Sequence, residues 1–414
     1  MYKRQNKRPA GDLQKPNSSF ARIVTDDALR QSVRSVLYEA FDNYFVVDPT
    51  ELGQLKIRYS SIEPQNTSIE RSIADDAIKF FASATPIEQF SDGVKAFTGI
   101  VVEMFAGAPN VLILDEPEAF LHPTLSFLLG REISRSTPEA LQKNVFISTH
   151  SASFVMGCIQ SGADVNVVRL TYRNEQATAR LIDSATLRNL MRNPLLRSTG
   201  VINALFYDYA IVVEADTDRA FYDEINSRLL LAKDDRAIPN CLFLNARNKQ
   251  TVWEIVRPLR DLGIPVATIV DVDIYKEGGT VWTHFLEGGN VPEISRVGLA
   301  QERSLLKTAF EATGKNPKRD GGVDVLGNGE KESANNLFDT LDDYGLFVVR
   351  GGELESWLSG LGVAGKAPKW LVEVFDKMGD DPDAAGYMNP GAGDIWDFIG
   401  KVGKWLQNPQ RKGA

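Results

Sequence analysis

Residues 209–218, Tyr-Ala-Ile-Val-Val-Glu214-Ala-Asp-Thr-Asp218, and residues 265–273, Pro-Val-Ala-Thr-Ile-Val-Asp271-Val-Asp273, each run an apolar segment straight into carboxylates. Read as strands, they deliver Glu214 and Asp271 to their C-terminal ends. Asp218 lies one helical turn after Glu214, and Asp271 and Asp273, two apart on an extended segment, point the same way. Between them come a helical pattern from Asp218 to Leu231, a strand over 241–244 and a helix from Thr251 to Leu262. That βαβαβ order predicts an open parallel sheet whose carboxyl ends form a ligand crevice. Four hard oxygen donors meeting there repel one another unless cations intervene, and Mg²⁺ or Mn²⁺ is the expected remedy. The plainer reading is that these acids cap helices and solvate strand ends.

The chain has 414 residues, 43% hydrophobic and 24% charged, enough for two or more domains. No run of about 18 apolar residues and no signal-peptide pattern occurs, so a cytoplasmic protein with no membrane partner is expected. Cys158 and Cys241 are too few for a disulfide framework or a thiolate metal site, and His122, His150 and His284 are too few for a His-rich one. Any metal therefore falls to carboxylates. A net charge of −9 is unfavourable for nucleic acid, although Lys3, Arg4, Lys7 and Arg8, and Lys401, Lys404, Arg411 and Lys412, form local basic clusters that also read as solvated termini.

Residues 1–19 are polar and read as a disordered basic tail. Helix and strand patterns then alternate: a helix over 27–41, strands near 44–47 and 55–59, helices over 69–81 and 91–105, the strand Val111-Leu-Ile-Leu114, a helix from Pro123 to about Ser134, and the strand 144–148. A hairpin over 165–183, turning at Arg173-Asn174-Glu175, closes a segment 20–183. A helical connector over 184–207 leads to a second domain, 208–414, with a Gly-, Lys- and Asp-rich stretch at 313–334 that reads as a mobile insertion.

The first segment has its own chemistry in Val111-Leu-Ile-Leu-Asp115-Glu116-Pro-Glu118-Ala-Phe-Leu-His122-Pro123. An apolar strand ending in Asp-Glu sets the first carboxylate to hold Mg²⁺ through water and the second to polarise a hydrolytic water, a Walker B arrangement. Phe90-Ser91-Asp92-Gly93-Val94 opens the preceding helix and resembles the ABC signature, whose serine and helix N-terminus bind a γ-phosphate across a dimer interface. Thr149-His150-Ser151, after the next strand, resembles the switch histidine. Alone, the first is a helix N-cap and the second a lone histidine. In this order they resemble the ABC-type ATPases of the chromosome-maintenance and RecF-like group. That resemblance implies ATP binding by Ser91, Gly93, Asp115, Glu116 and His150 and self-association, because ABC sites need two subunits. No Gly-x-x-x-x-Gly-Lys-Ser/Thr occurs, and Gly327-Asn-Gly-Glu-Lys331 and Gly400-Lys401 lack its spacing or context. The chain reads as beginning after that loop, as a truncated protein, as one whose partner chain supplies the loop, or as one that has lost hydrolysis.

In the second domain, Val-Val-Glu-x-x-x-Asp-x-x-Phe-Tyr followed by Asp-x-Asp resembles the TOPRIM domain of topoisomerases, primases and nucleases. With the ABC-type segment before it, the chain resembles the overcoming-lysogenization-defect (OLD) family of ATP-dependent endonucleases over about residues 20–405. The fold this implies is α/β: an ABC-type ATPase parallel-sheet segment followed by a Rossmann-like TOPRIM domain. The resemblance implies DNA as substrate, a role in defence against phage or mobile DNA, and two-metal hydrolysis with Glu214, Asp218, Asp271 and Asp273 as metal ligands. Glu355, in Gly351-Gly-Glu353-Leu-Glu355, matches the family's Leu-Glu and is expected, in preference to Glu353, to complete the site as a further catalytic metal ligand, though it also reads as a helix-start acid. The family's C-terminal lysine points to Lys401 or Lys404, which also fit a solvated helix face. Lys249, at a strand-to-helix turn, is placed to touch a phosphate. Ala215 and Tyr275 depart from the family pattern without removing a carboxylate. Two other functions stay open: a nucleotide-sensing, DNA-binding assembly protein without nuclease activity, and a primase- or topoisomerase-type enzyme.

Overall fold

The computed structural model describes residues 14–51, 54–66, 68–136, 143–173, 175–194, 197 and 200–413, with the backbone of 7–9. Asn174, at the expected hairpin turn, lies outside them, as do Lys3 and Arg4. The chain divides into two bodies, residues 1–167 with 183–187, and residues 168–182 with 188–414. No described helix is long and apolar enough to cross a membrane.

In the first body β1 (Lys7–Pro9), β2 (Tyr44–Asp48), β3 (Gln54–Ser60) and β4 (Thr85–Pro86) form an antiparallel sheet in the order β1-β3-β2, with β4 on β3. Strand β1 therefore pairs residues of the tail expected to be disordered, Lys7 opposite Lys56. The helix expected over 69–81 is a short 3₁₀ turn, Ile69–Arg71, followed by Asp75–Ser83. Helix Asp27–Phe41 begins where Asp26 accepts the Leu29 N–H (3.0 Å), and it ends at Asp42 in the left-handed region. Lys143 finishes helix Asp92–Ala106 by donating to the carbonyls of Glu103 (3.1 Å) and Met104 (2.5 Å).

Strands β5 (Val111–Asp115) and β6 (Asn144–Ser148) form a parallel pair, Asp115 opposite Ser148. Leu112, Leu114, Val145 and Ile147 turn towards a core of Phe45, Tyr59, Phe97, Leu129 and Phe154. Val111, Ile113 and Phe146 on the other face are exposed. Helices Pro123–Ser136 and Ala152–Gln160 cross at backbone contact, because a Cβ on Gly157 would lie 2.0 Å from the Phe127 carbonyl. That crossing sets Ser126 and Ser151 3.0 Å apart, just after His150.

A buried ion cluster ties this body together. Glu70 receives Arg30 (2.9 Å), Arg34 (2.5 Å) and the Val47 N–H (3.1 Å), while Arg34 also donates to the Phe45 carbonyl (2.9 Å). All three side chains are almost fully buried. Losing one partner of such a set strands a buried charge.

The second body holds the hairpin β7 (Val167–Arg173) and β8 (Gln176–Ile182) and a parallel sheet of β9 (Tyr209–Val213), β10 (Cys241–Asn245), β11 (Val266–Asp271) and β12 (Leu346–Val349). The hairpin, assigned from sequence to the first segment, belongs with the second. The sheet order is β10-β9-β11-β12, all parallel, with Val213 opposite Asn245 and Ile269. Strands β9 and β12 are buried throughout, as parallel strands covered by helices on both faces should be. After β9 the chain steps to β10 on one side and then returns to β11 on the other, so the topological switch falls between β9 and β11.

The stretch 313–334 corrects the expectation of a mobile insertion: Pro317–Asp320 is a helical turn, Gly322–Val325 a 3₁₀ turn, and Asn328–Asp342 a full helix. Asn316 starts the first by accepting the Lys318 N–H (3.2 Å), and Pro317 at the first position needs no donor. Gly352, at φ +132°, lets the loop after β12 press against this turn, since a Cβ there would sit 2.5 Å from the Lys318 carbonyl.

All six tryptophans lie between Trp253 and Trp405, so indole fluorescence reports the second body alone. Glu70→Ala is expected to destabilise the first body by about 3–5 kcal/mol. In urea titrations the far-UV circular dichroism transition should move to lower urea while the tryptophan transition stays in place. An unchanged dichroism midpoint would remove the ion cluster from the stability account.

Candidate metal centre

The switch between β9 and β11 brings the sequence-predicted acids together. Glu214 follows β9 and reaches sideways, accepting the Asp271 N–H at the end of β11 (3.0 Å). Asp218, in the first turn of helix Asp216–Leu231, folds back to accept the Ala215 N–H (3.1 Å). Asp273 sits in the 3₁₀ turn Val272–Lys276, whose entry is fixed by Val272 donating to the Gly352 carbonyl (2.9 Å). Glu214, Asp271 and Asp273 can each offer an oxygen within 4.8 Å of the others.

Lys318 enters this cluster, and the sequence reading missed it. Its Nζ lies 2.6 Å from Asp271, 4.0 Å from Asp273 and 3.9 Å from Glu353. Glu353 in turn pairs with Lys366 (3.1 Å), so it stands in the cluster beside the preferred Glu355. Glu355 accepts the Ala367 N–H (2.8 Å), and its charge is felt at Asp218. Lys249 bridges Asp273 (3.1 Å) and Glu277 (3.0 Å), holding the Asp-x-Asp turn from its far side.

Lys401 does not join them: it pairs with Asp342 (2.6 Å) and Asp339 (3.1 Å), which Arg350 also binds. A C-terminal lysine reaches these acids because helix Asp394–Gln407 packs its apolar face on the sheet core and turns Lys401 outwards. Tyr275 is buried and stacks on Phe310 (centroids 4.5 Å apart), which makes it a support for the turn. The signal for Lys318 was present in Asn316-Pro-Lys318, a capped helix start, but glycine and charge around it masked the pattern.

The electrostatics are those of carboxylates held apart from water and from enough positive charge. Burial, then the Asp271 charge, pushes Glu214 up to about 8. Burial and Asp271 likewise push Asp218 up to about 7. Burial pushes Asp271 up to about 6, with Lys318 pulling the other way. Burial opposes the charge on Lys318, and Asp271 and Asp273 more than offset it, leaving the ammonium above the usual lysine range.

The donor set fits a divalent cation. All donors are hard oxygens, and Asp273 Oδ1 is buried with no hydrogen-bond partner among the described residues, an acceptor open to a ligand.

In the first body, Asp115 ends β5 and accepts a hydrogen bond from Ser148 Oγ. Glu116, at φ +44°, lies 3.2 Å from His150 Nδ1. The buried Glu118 beside them accepts Thr149 Oγ1 (2.5 Å) and the His150 N–H (3.3 Å), which fixes the histidine loop against the acid loop. Ser91 caps its helix at Val94, and Gly93 packs so closely on the Phe120 carbonyl that a Cβ would lie 2.5 Å from it. Asp115, Glu116 and His150 are thus neighbours, with the Ser91 helix start against the same loop.

Residues 10–156 match the family described as "AAA domain, putative AbiEii toxin, Type IV TA system", so the chain carries an ATPase-family domain there. Among solved structures, it is similar to one titled "Structural biochemistry of ATP-driven dimerization and DNA stimulated activation of SMC ATPases", at 13% identity, with 42% of this chain and 93% of that chain covered and a TM-score of 0.28. A likeness of that size adds nothing to the topology described above. Comparison with curated proteins gives no match.

Carboxyls whose folded pKa exceeds the unfolded value, near 4, keep protons that the unfolded chain gives up. Their contribution to stability is complete below the unfolded pKa and is lost as pH rises through the folded values. For Glu214, Asp218 and Asp271 that window runs from about 4 up to about 8. The melting temperature of the second body, followed by tryptophan fluorescence without metal, should fall from pH 5 to pH 8.5. Saturating Mn²⁺ should abolish most of the fall. A metal-free melting temperature independent of pH would contradict the assigned electrostatics.

Proposed function

We propose that the chain is a divalent-metal-dependent endonuclease that hydrolyses DNA phosphodiester bonds at the acid cluster of a TOPRIM-type second body, governed by the ATPase-family first body. The observation that carries this reading is the convergence of Glu214, Asp271 and Asp273 at a topological switch, with one buried oxygen of Asp273 left without a partner. Acids that only solvated strand ends would face water and would find donors.

When bound at such a site, divalent cations activate a water and steady the leaving oxygen of the phosphodiester. On this reading Glu214, Asp271 and Asp273 hold one cation. Asp218, Glu353 and Glu355 face the neighbouring position and orient what binds there. Glu214 also braces Asp271 through its backbone N–H, which keeps the two strand ends in register during turnover. Lys249 fixes the Asp273 turn.

Control by nucleotide follows from the first body. Asp115 would hold Mg²⁺, Glu116 would orient the attacking water, and His150, 3.2 Å from Glu116, would sense the γ-phosphate of ATP. The exposed apolar face of Val111, Ile113 and Phe146 supports the view that a further segment, carrying the phosphate loop, completes this sheet, since parallel strands are ordinarily covered on both faces. Self-association would complete the ABC-type site with Ser91 and Gly93 of a second copy. A role in phage defence is in keeping with the toxin description of the matched family.

A nuclease-free assembly protein is favoured by one fact, the Lys318 ammonium that already neutralises part of the cluster. Cleavage assays separate the two. Asp271→Asn and Glu214→Gln should each lower Mg²⁺- or Mn²⁺-dependent cleavage of plasmid DNA by at least about 100-fold, and Lys401→Ala should retain most of it. If the wild-type chain, with ATP and with the phosphate-loop segment restored, cuts neither plasmid nor single-stranded DNA with either metal, the nuclease reading falls.

A further inference from the structure

Beside the acids lies an open cleft of about 530 Å³, walled by Lys318, Arg319, Lys366, Gly351 and Ser356. That is within the roughly 300–1,000 Å³ that ligand sites occupy. Acids also line it, but each is engaged. Asp324 pairs with Lys331 (2.5 Å), Glu353 with Lys366, and Glu355 with the Ala367 N–H. The Arg319 side chain is exposed and enters no hydrogen bond or ion pair among the described residues, while its backbone N–H donates to the Asn316 carbonyl (2.9 Å).

Lys318 belongs to both places: it lines the cleft, and its Nζ rests on Asp271. Its backbone is fixed by the Asn316 cap and by the Gly352 contact, whereas its four-carbon stem can swing between the two. A divalent cation drawn to Asp271 and Asp273 competes for the same negative charge with the ammonium that rests 2.6 Å from Asp271 Oδ2. The space that adjoins Lys318 on its other side is the cleft.

From this juxtaposition we infer that the cleft is a phosphate-binding subsite for a polynucleotide strand, and that Lys318 is an exchangeable counter-ion which metal entry transfers from Asp271 to the bound phosphate. The inference rests on the nuclease reading for the identity of its ligand. Arg319 supplies a planar, two-pronged donor for phosphate oxygens, and Lys366 a second point charge once Glu353 turns to the metal. Metal and substrate thereby bind cooperatively: each cation that enters the cluster frees a cation for the strand. Where it rests on Asp271, the same lysine lowers the repulsion among the acids.

The test uses the full chain and two probes, Mn²⁺ alone by titration calorimetry and a labelled oligothymidylate by fluorescence anisotropy in Ca²⁺. Lys318→Met should bind Mn²⁺ about tenfold more tightly, its competitor being gone, yet bind the oligonucleotide about tenfold more weakly, with the salt dependence reduced by about one phosphate contact. Arg319→Gln should lose oligonucleotide affinity similarly and leave Mn²⁺ affinity unchanged. Lys318→Arg, which keeps the charge, should restore much of the strand binding and guards against a folding defect. Oligonucleotide binding that is the same in wild type, Lys318→Met and Arg319→Gln overturns the subsite, and unchanged or weakened Mn²⁺ binding in Lys318→Met overturns the exchange. A wild type that cuts DNA while these variants bind the strand normally sinks this inference alone. Lysine-dependent strand binding without any cleavage sinks the nuclease reading and leaves the subsite standing.

Discussion

Like charges crowded at the ends of two neighbouring parallel strands are the constraint from which the rest of the second body follows. Strands β9 and β11 are fully buried along most of their length, so their termini are fixed to within the register of the sheet. The side chains that emerge there cannot drift apart to relieve repulsion. Glu214 is held by the Asp271 N–H, Asp218 by the Ala215 N–H, and the Asp273 turn by Gly352 and Lys249. Burial makes the charged state costly at Glu214, Asp218 and Asp271, and the positive charge on hand is small. One ammonium, Lys318, sits at the centre. Further cations are what the proposed metal centre would supply, and the loop around Gly352 and the capped turn at Asn316 position Lys318 against these acids.

Much of this was legible in the sequence. Apolar runs alternating with helical patterns, two of them ending in the acids Glu214 and Asp271, point to a parallel α/β sheet because strand and helix periodicities are local. The convergence of Glu214, Asp218, Asp271 and Asp273 followed from strand polarity alone. What stayed hidden depends on contacts distant in sequence. Lys318 reaches Asp271 across 47 residues through the Gly352 contact, and nothing in the composition of residues 313–334 distinguishes a packed turn and helix from a loose insertion. Lys401 misled for the opposite reason. Its helix is amphipathic as expected, but Asp339 and Asp342 claim the charged face. The hairpin at 167–182 was legible as a hairpin, while its membership of the second body was not, because it is decided by Arg169 and Arg180 donating to carbonyls of Leu205, Tyr207 and Asp261.

The first body illustrates a different limit. Asp115, Glu116 and His150 are adjacent as their motif order implied, and Glu118 is the buried hinge that joins the acid and histidine loops. The ATPase-family match covers residues 10–156, the stretch that holds all of them. Within this body Val111, Ile113 and Phe146, on one face of the β5–β6 pair, are exposed among the described residues. On the proposed reading these acids, Ser91 and His150 would serve nucleotide sensing and hydrolysis, whereas in the second body Glu214, Asp271 and Asp273 already stand within reach of one another.

The central claim is that the strand ends of β9 and β11 form a divalent-cation centre with Lys318 as its resident stand-in. Anomalous diffraction from crystals soaked in Mn²⁺ tests it most directly. The account predicts a manganese peak bound by Glu214, Asp271 and Asp273, with the Lys318 ammonium displaced from Asp271 into the adjoining cleft. No anomalous peak at saturating Mn²⁺, with Lys318 still seated on Asp271, would contradict it.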